Sequence, residues 1–221
     1  GSCRAALGIS PGERVGLFTV TFSLLGTGLR NTGSTLGRGG PALGVGAGNV
    51  PVIVDETAAV PAAAAKIARS KTFDHATSCS SENSVIADAR VYDALVAQFA
   101  AEGGVLLDAL EARQLQAAMF GSGKLAPAFV AQSAGTIAGR AGLNRPAVRV
   151  AKFLIVAETG VGPGHPFSGE KLSPVLAVYR VRDFEQAKEV VRAIYAFQGA
   201  GHSVSLHSAR EDRALDLGLT L

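Results

Sequence analysis

Cys79 is the side chain best suited by type and setting to do chemistry. It lies in SKTFDHATSCSSENS (70–84), among small and polar neighbours that leave a substrate room to approach. A thiolate is a strong nucleophile that needs only positioning and a modest drop in pKa. A buried structural thiol fits the local sequence equally well, because free cysteine is among the most buried residue types. His75 stands four positions before Cys79, so a helical segment would put both on one face, where an imidazole lowers a thiol pKa. Glu170 and His202 are further candidates. Each taken alone also reads as an ordinary loop acid or surface imidazole. No metal site is expected.

The elements around these residues follow from spacing. Asp55 and Thr57 are candidate N-caps for a helix to about residue 70, carrying Val60, Ala64, Ile67 and Ala68 toward the cysteine loop. Short apolar runs at 51–54, 84–87, 152–156, 175–181 and 203–206 read as buried strands. Val91, Leu95 and Phe99 mark a helix, residues 106–119 a second and 127–138 a third. Asp183 opens the clearest helix, with Gln186 at the capping-box position and a stripe of Phe184, Ala187, Val190, Val191, Ile194 and Phe197. Alternating strands and helices predict an α/β layer with a mostly parallel sheet. Residues 15–20 could add a buried strand.

Residues 31–50 carry seven glycines. Within them Thr32, Gly33, Ser34 and Thr35 could open a helix whose free N–H groups face a phosphate or ribose, or form a plain glycine-rich loop.

Bulk properties narrow the function classes. The 221 residues are 48% hydrophobic and 18% charged, with a net charge of +3, as in an ordinary globular chain. No basic run interleaves with aromatics, so nucleic acid is not indicated as a partner. The longest apolar run, 15–29, is broken by glycine, serine and threonine and falls short of a bilayer span, so no membrane role is expected. No signal peptide is recognisable at the N-terminus. Two distant cysteines, Cys3 and Cys79, give no disulfide framework, and a reducing, cytoplasmic setting is the expectation.

Four pieces stand in order: GVGAGNVP (44–51), SKTFDHATSCSSENS (70–84), PFSGEKLSPVLAVYR (166–180) and GAGHS (199–203). Together they resemble the aldehyde dehydrogenase superfamily, in its CoA-acylating branch, from about residue 40 to 221. The second and third pieces look most like acylating sulfoacetaldehyde dehydrogenases. The resemblance implies an aldehyde dehydrogenase-like catalytic domain at 41–208, a remnant of a Rossmann-like dinucleotide-binding domain at 1–40, and the start of a truncated return segment at 209–221. It implies an enzyme that converts an aldehyde to an acyl-CoA with NAD or NADP, through a cysteine thioester, with coenzyme A as co-substrate. Cys79 matches the nucleophile and Glu170 the carboxylate that holds the nicotinamide ribose. His202 matches a histidine near the acylating site, and Gly33 and Ser34 a cofactor-binding turn. The intact protein is expected to be a homo-oligomer.

Val45 stands where the hydrolytic members carry the glutamate that activates water. A valine cannot take a proton, so the thioester should wait for a thiol. Asn49 nearby is either a hydrogen-bonding replacement or a turn residue. The acylating branch more often carries asparagine at the position of His75, which argues against a required Cys–His dyad. The alternatives are a hydrolytic or non-hydrolytic semialdehyde dehydrogenase of the same superfamily, or a truncated domain without catalysis of its own.

Overall fold

The computed structural model describes residues 17–21 and 47–221; Gly33, Ser34 and Val45 lie outside them. The described chain forms a seven-stranded sheet in the order β1-β7-β2-β3-β6-β5-β4. Its strands are β1 (Leu17–Thr21), β2 (Val50–Val54), β3 (Glu82–Asp88), β4 (Gly104–Leu106), β5 (Phe153–Glu158), β6 (Val175–Val181) and β7 (Ser203–His207). All neighbours pair in parallel except β1, which runs antiparallel to β7 along the edge. The expected α/β architecture with a mostly parallel sheet is what forms.

Side-chain alternation along each strand feeds two cores. On one face Val52 and Val54 join Val85, Ile155, Leu176 and Val178 beneath α1 (Val60–Thr72) and α2 (Ala89–Ala101). On the other, Ile53, Ile86, Val156 and Ala177 meet α3 (Ala109–Phe120), α4 (Ala134–Arg140) and α6 (Phe184–Phe197). The central strands are covered on both sides, which is why they read as continuous apolar runs. Helices α5 (Pro146–Arg149) and α7 (Glu211–Thr220) complete the chain. No helix among the described residues is long and apolar enough to cross a membrane.

Several local expectations are corrected. The first helix starts at Val60, not at 56–58, because the Asp55 carboxylate is used locally. It accepts from the Thr57 N–H and hydroxyl at 2.8 and 2.6 Å, closing a turn before the helix. The single helix expected at 127–138 is a 3-10 turn, Pro127–Phe129, followed by α4. Ala131 has a φ of 56°, which breaks a right-handed helix, and Ser133 caps a new one. The short strand β4 occupies the start of the helix expected at 106–119; Asp108 and Glu111 form a capping box that delays the helix to Ala109. Asp183 caps α6 as expected, its side chain accepting from the Gln186 N–H.

Candidate active site

The candidate residues sit just before strands, and the topology decides where that puts them. Gly48 precedes β2, Cys79 precedes β3, Glu170 precedes β6 and His202 precedes β7. These strands are parallel neighbours in the order β7-β2-β3-β6. Loops that enter adjacent parallel strands must emerge at one edge of the sheet. Residues 154 positions apart at most in sequence meet there because of topology, not because any local signal joins them.

Gly48 is the meeting point. A Cβ added to it would lie 2.9 Å from the Cys79 carbonyl oxygen, 3.0 Å from the Cys79 Cβ and 3.1 Å from the His202 Nε2. Real Cβ atoms do not approach backbone so closely, so only glycine lets these groups converge. The Gly48 N–H in turn faces the Glu170 carboxylate. Cys79, Glu170 and His202 are therefore brought together around one backbone position.

Cys79 is exposed, which settles the choice between an accessible and a buried thiol. Its loop leaves α1 at Thr72 and passes through Asp74, His75 and Ala76, all with φ between 46° and 57°. Left-handed geometry at consecutive non-glycine residues is uncommon. It ends the helix and removes the helical face that His75 and Cys79 would have shared; His75 is exposed on this turn. The conditional Cys79–His75 pairing therefore loses its geometric basis. The His202 imidazole, in place of His75, borders the same point of Gly48 as the Cys79 Cβ. Its Nδ1 lies 2.9 Å from the Ser203 hydroxyl, leaving Nε2 toward Gly48.

Glu170 is half-buried, and burial raises its carboxyl pKa; the Gly48 N–H and then the charges of Lys171 and Lys71 pull it down. Its backbone N–H donates to the Gln198 Oε1 at 2.8 Å. Lys171 is fully buried and donates from Nζ to the carbonyls of Asn83, Phe167 and Gly169. Those acceptors occupy all the N–H groups of an ammonium. Burial pushes the Lys171 pKa well down, and the charge of Lys71 pushes the same way.

Lys71, behind the cysteine loop, is 1% exposed, and burial lowers its pKa to about 7 against the pull of Glu82 and Glu170. Glu82 is raised by burial, opposed by the Ser70 hydroxyl first, and among the described residues its Oε2 has no partner. Sequence reasoning passed over Lys71. The signal was present: it follows Ile67 by four and Ala68 by three, on the apolar stripe of α1. Gln198 carried no such signal.

A cleft of about 430 Å³ lined by Asp183, Glu185, Arg210, Arg213 and Asp216 opens elsewhere. Those residues follow β6 and β7 and so lie at the opposite edge of the sheet, away from Cys79. Among the described residues no group of His, Cys, Asp and Glu could hold a metal ion.

No family model matches the chain. It is 56% identical over 183 residues to a sulfoacetaldehyde dehydrogenase (acylating) of Cupriavidus necator, covering 83% of this chain and 37% of that protein. The chain thus spans little more than a third of that relative. The crystal structure of an acetylating aldehyde dehydrogenase from Geobacillus thermoglucosidasius superposes with a TM-score of 0.75 at 35% identity, over 82% of this chain and 40% of that one. An engineered glycolyl-CoA reductase with bound NADP+ superposes with a TM-score of 0.70 at 27% identity, over 82% of this chain and 40% of that one.

Proposed function

Because the chain belongs to the CoA-acylating branch of the aldehyde dehydrogenase superfamily, we propose that it carries the acyl-transfer centre of an enzyme converting an aldehyde to an acyl-CoA with NAD(P)+. The observation that carries this reading is the convergence of Cys79, His202 and Glu170 on Gly48. Residues 41–208 form the catalytic unit in this reading, with Cys79 as nucleophile.

The Cys79 thiolate attacks the aldehyde carbon, and the carbonyl π pair moves onto oxygen to give a thiohemiacetal. In the tautomer whose Nδ1 accepts from the Ser203 hydroxyl, His202 carries its proton on Nε2 and donates to that oxygen. When bound, NAD(P)+ supplies the acceptor for the hydride that leaves the thiohemiacetal carbon, and a thioester remains on Cys79. The CoA thiolate then attacks the thioester carbon, the Cys79–acyl bond breaks and the Cys79 thiolate is restored.

The residues present suit the cofactor. Glu170 is a half-buried carboxylate whose backbone is pinned by Gln198, so it is pre-placed to accept from ribose hydroxyls. Val45 supports transfer to a thiol over hydrolysis, since it offers water no base. Sulfoacetaldehyde is the substrate favoured by the likeness to the Cupriavidus protein.

The protein should reduce NAD(P)+ with sulfoacetaldehyde only when CoA is present, and release the acyl-CoA. Equal turnover without CoA, yielding free acid, would overturn the acyl-transfer reading. Turnover with acetaldehyde but not sulfoacetaldehyde would overturn only the substrate.

A further inference from the structure

The geometry points to Gln198 as a positioning residue that holds the Glu170 backbone, and through it the ribose-binding carboxylate, in place. The link to ribose rests on the function proposed above; the hold on the backbone does not.

Gln198 ends α6, its own N–H donating to the Ile194 carbonyl at 2.8 Å. Its side-chain Oε1 accepts from the Glu170 N–H at 2.8 Å. Its backbone carbonyl accepts from the Asn49 Nδ2 at 3.4 Å, and the same Nδ2 donates to the Ser168 carbonyl at 2.7 Å. Both Asn49 partners are carbonyls, which only accept, so the amide nitrogen must face them. Asn49 is fully buried, and among the described residues its Oδ1 has no partner, so its donors fix it.

Two side-chain amides thus close a circuit through the segments that enter β2, β6 and β7. The packing leaves no slack. A Cβ on Gly169 would lie 2.7 Å from the Gln198 Oε1, and one on Gly199 would lie 2.5 Å from the Asn49 Cβ. Gly199 also has a φ of 90°, which side chains rarely adopt. Glu170 follows a stretch with glycines at 160, 162, 164 and 169, a segment with little stiffness of its own. Without the Gln198 acceptor its N–H loses its only described tie to α6.

The test compares Gln198→Leu, which removes the acceptor, with Gln198→Glu, which keeps an oxygen at the same reach. Urea midpoints establish that both fold. Amide exchange at Glu170 should speed up about tenfold in the leucine variant, the equivalent of one hydrogen bond, and stay slow in the glutamate variant. The KM for NAD(P)+ should rise severalfold in the leucine variant, while Cys79 alkylation changes by less than about twofold. Unchanged exchange at Glu170 in Gln198→Leu overturns the role of Gln198, whatever the activity. Faster exchange with no change in the KM overturns the link to ribose and supports the hold on the backbone. Faster exchange in a protein whose parent shows no aldehyde-dependent NAD(P)+ reduction overturns the proposed function instead, and again supports the hold.

Discussion

Gly48 lays a bare Cα against the Cys79 loop, with room for no Cβ: the added atom would sit 2.9 Å from the Cys79 carbonyl oxygen. The contact fixes the thiol relative to His202, whose Nε2 borders the same point. Gly48→Ala should therefore displace Cys79 and slow its acylation by an acyl-CoA roughly 10- to 100-fold, the cost of a misplacement near 1 Å. Rapid-quench kinetics would measure this, with a urea midpoint as the check on folding. Acylation at the parent rate would show that the contact does not constrain the thiol.

Lys171 bonds the carbonyls of Asn83, Phe167 and Gly169, so its role is to tie the Glu170 segment to β3. Lys171→Met leaves those acceptors unpaired in the interior and should cost about 2–4 kcal/mol by urea unfolding. A variant as stable as the parent would contradict this.

His207 is 6% exposed, and burial, then the charge of Lys66, lowers its pKa to about 4 from 6.5. The folded chain therefore holds it neutral and the unfolded chain binds its proton more readily. Its share of stability is complete above pH 6.5 and is lost as pH falls toward 4, by about 3 kcal/mol. Urea midpoints across that range should fall in the parent and fall less in His207→Asn. Parallel curves for the two proteins would refute the assignment.

Lys71 sets a second window of opposite position. Its pKa is lowered from 10.5 to about 7, so below pH 7 its charge must be carried in the interior. Stability should rise as pH climbs from about 7 toward 10.5, and Lys71→Met should lose that rise. A Lys71→Met protein that keeps the full alkaline rise would place the effect on another group.

The strands and α6 were legible because their pattern is local: β6 occupies Val175–Val181 as read, and Asp183 caps α6. The cysteine loop was not. Asp74 and His75 are types that visit left-handed backbone more often than most, but always as a minority, and alanine does so rarely, so the helical spacing of His75 and Cys79 pointed to a shared face that does not form. The resemblance led to Cys79, Glu170 and His202, but their meeting at Gly48 depends on strand order, which spacing does not encode. Lys71 lay on a readable stripe, and Asn49 was read as a hydrogen-bonding or a turn residue; its bond to the Ser168 carbonyl and the Gln198 contact with the Glu170 N–H are long-range and leave no local trace.

The central claim is that Cys79 holds an acyl group that a second thiol removes. Intact-mass spectrometry of the protein after incubation with sulfoacetyl-CoA, and separately with acetyl-CoA, tests it most directly, because the exchange of acyl group between thiols runs in both directions. The account predicts one acyl group on Cys79 from at least the sulfoacetyl donor, lost on adding excess free CoA and absent in Cys79→Ala. An unmodified protein, or an adduct that persists in Cys79→Ala, would contradict it.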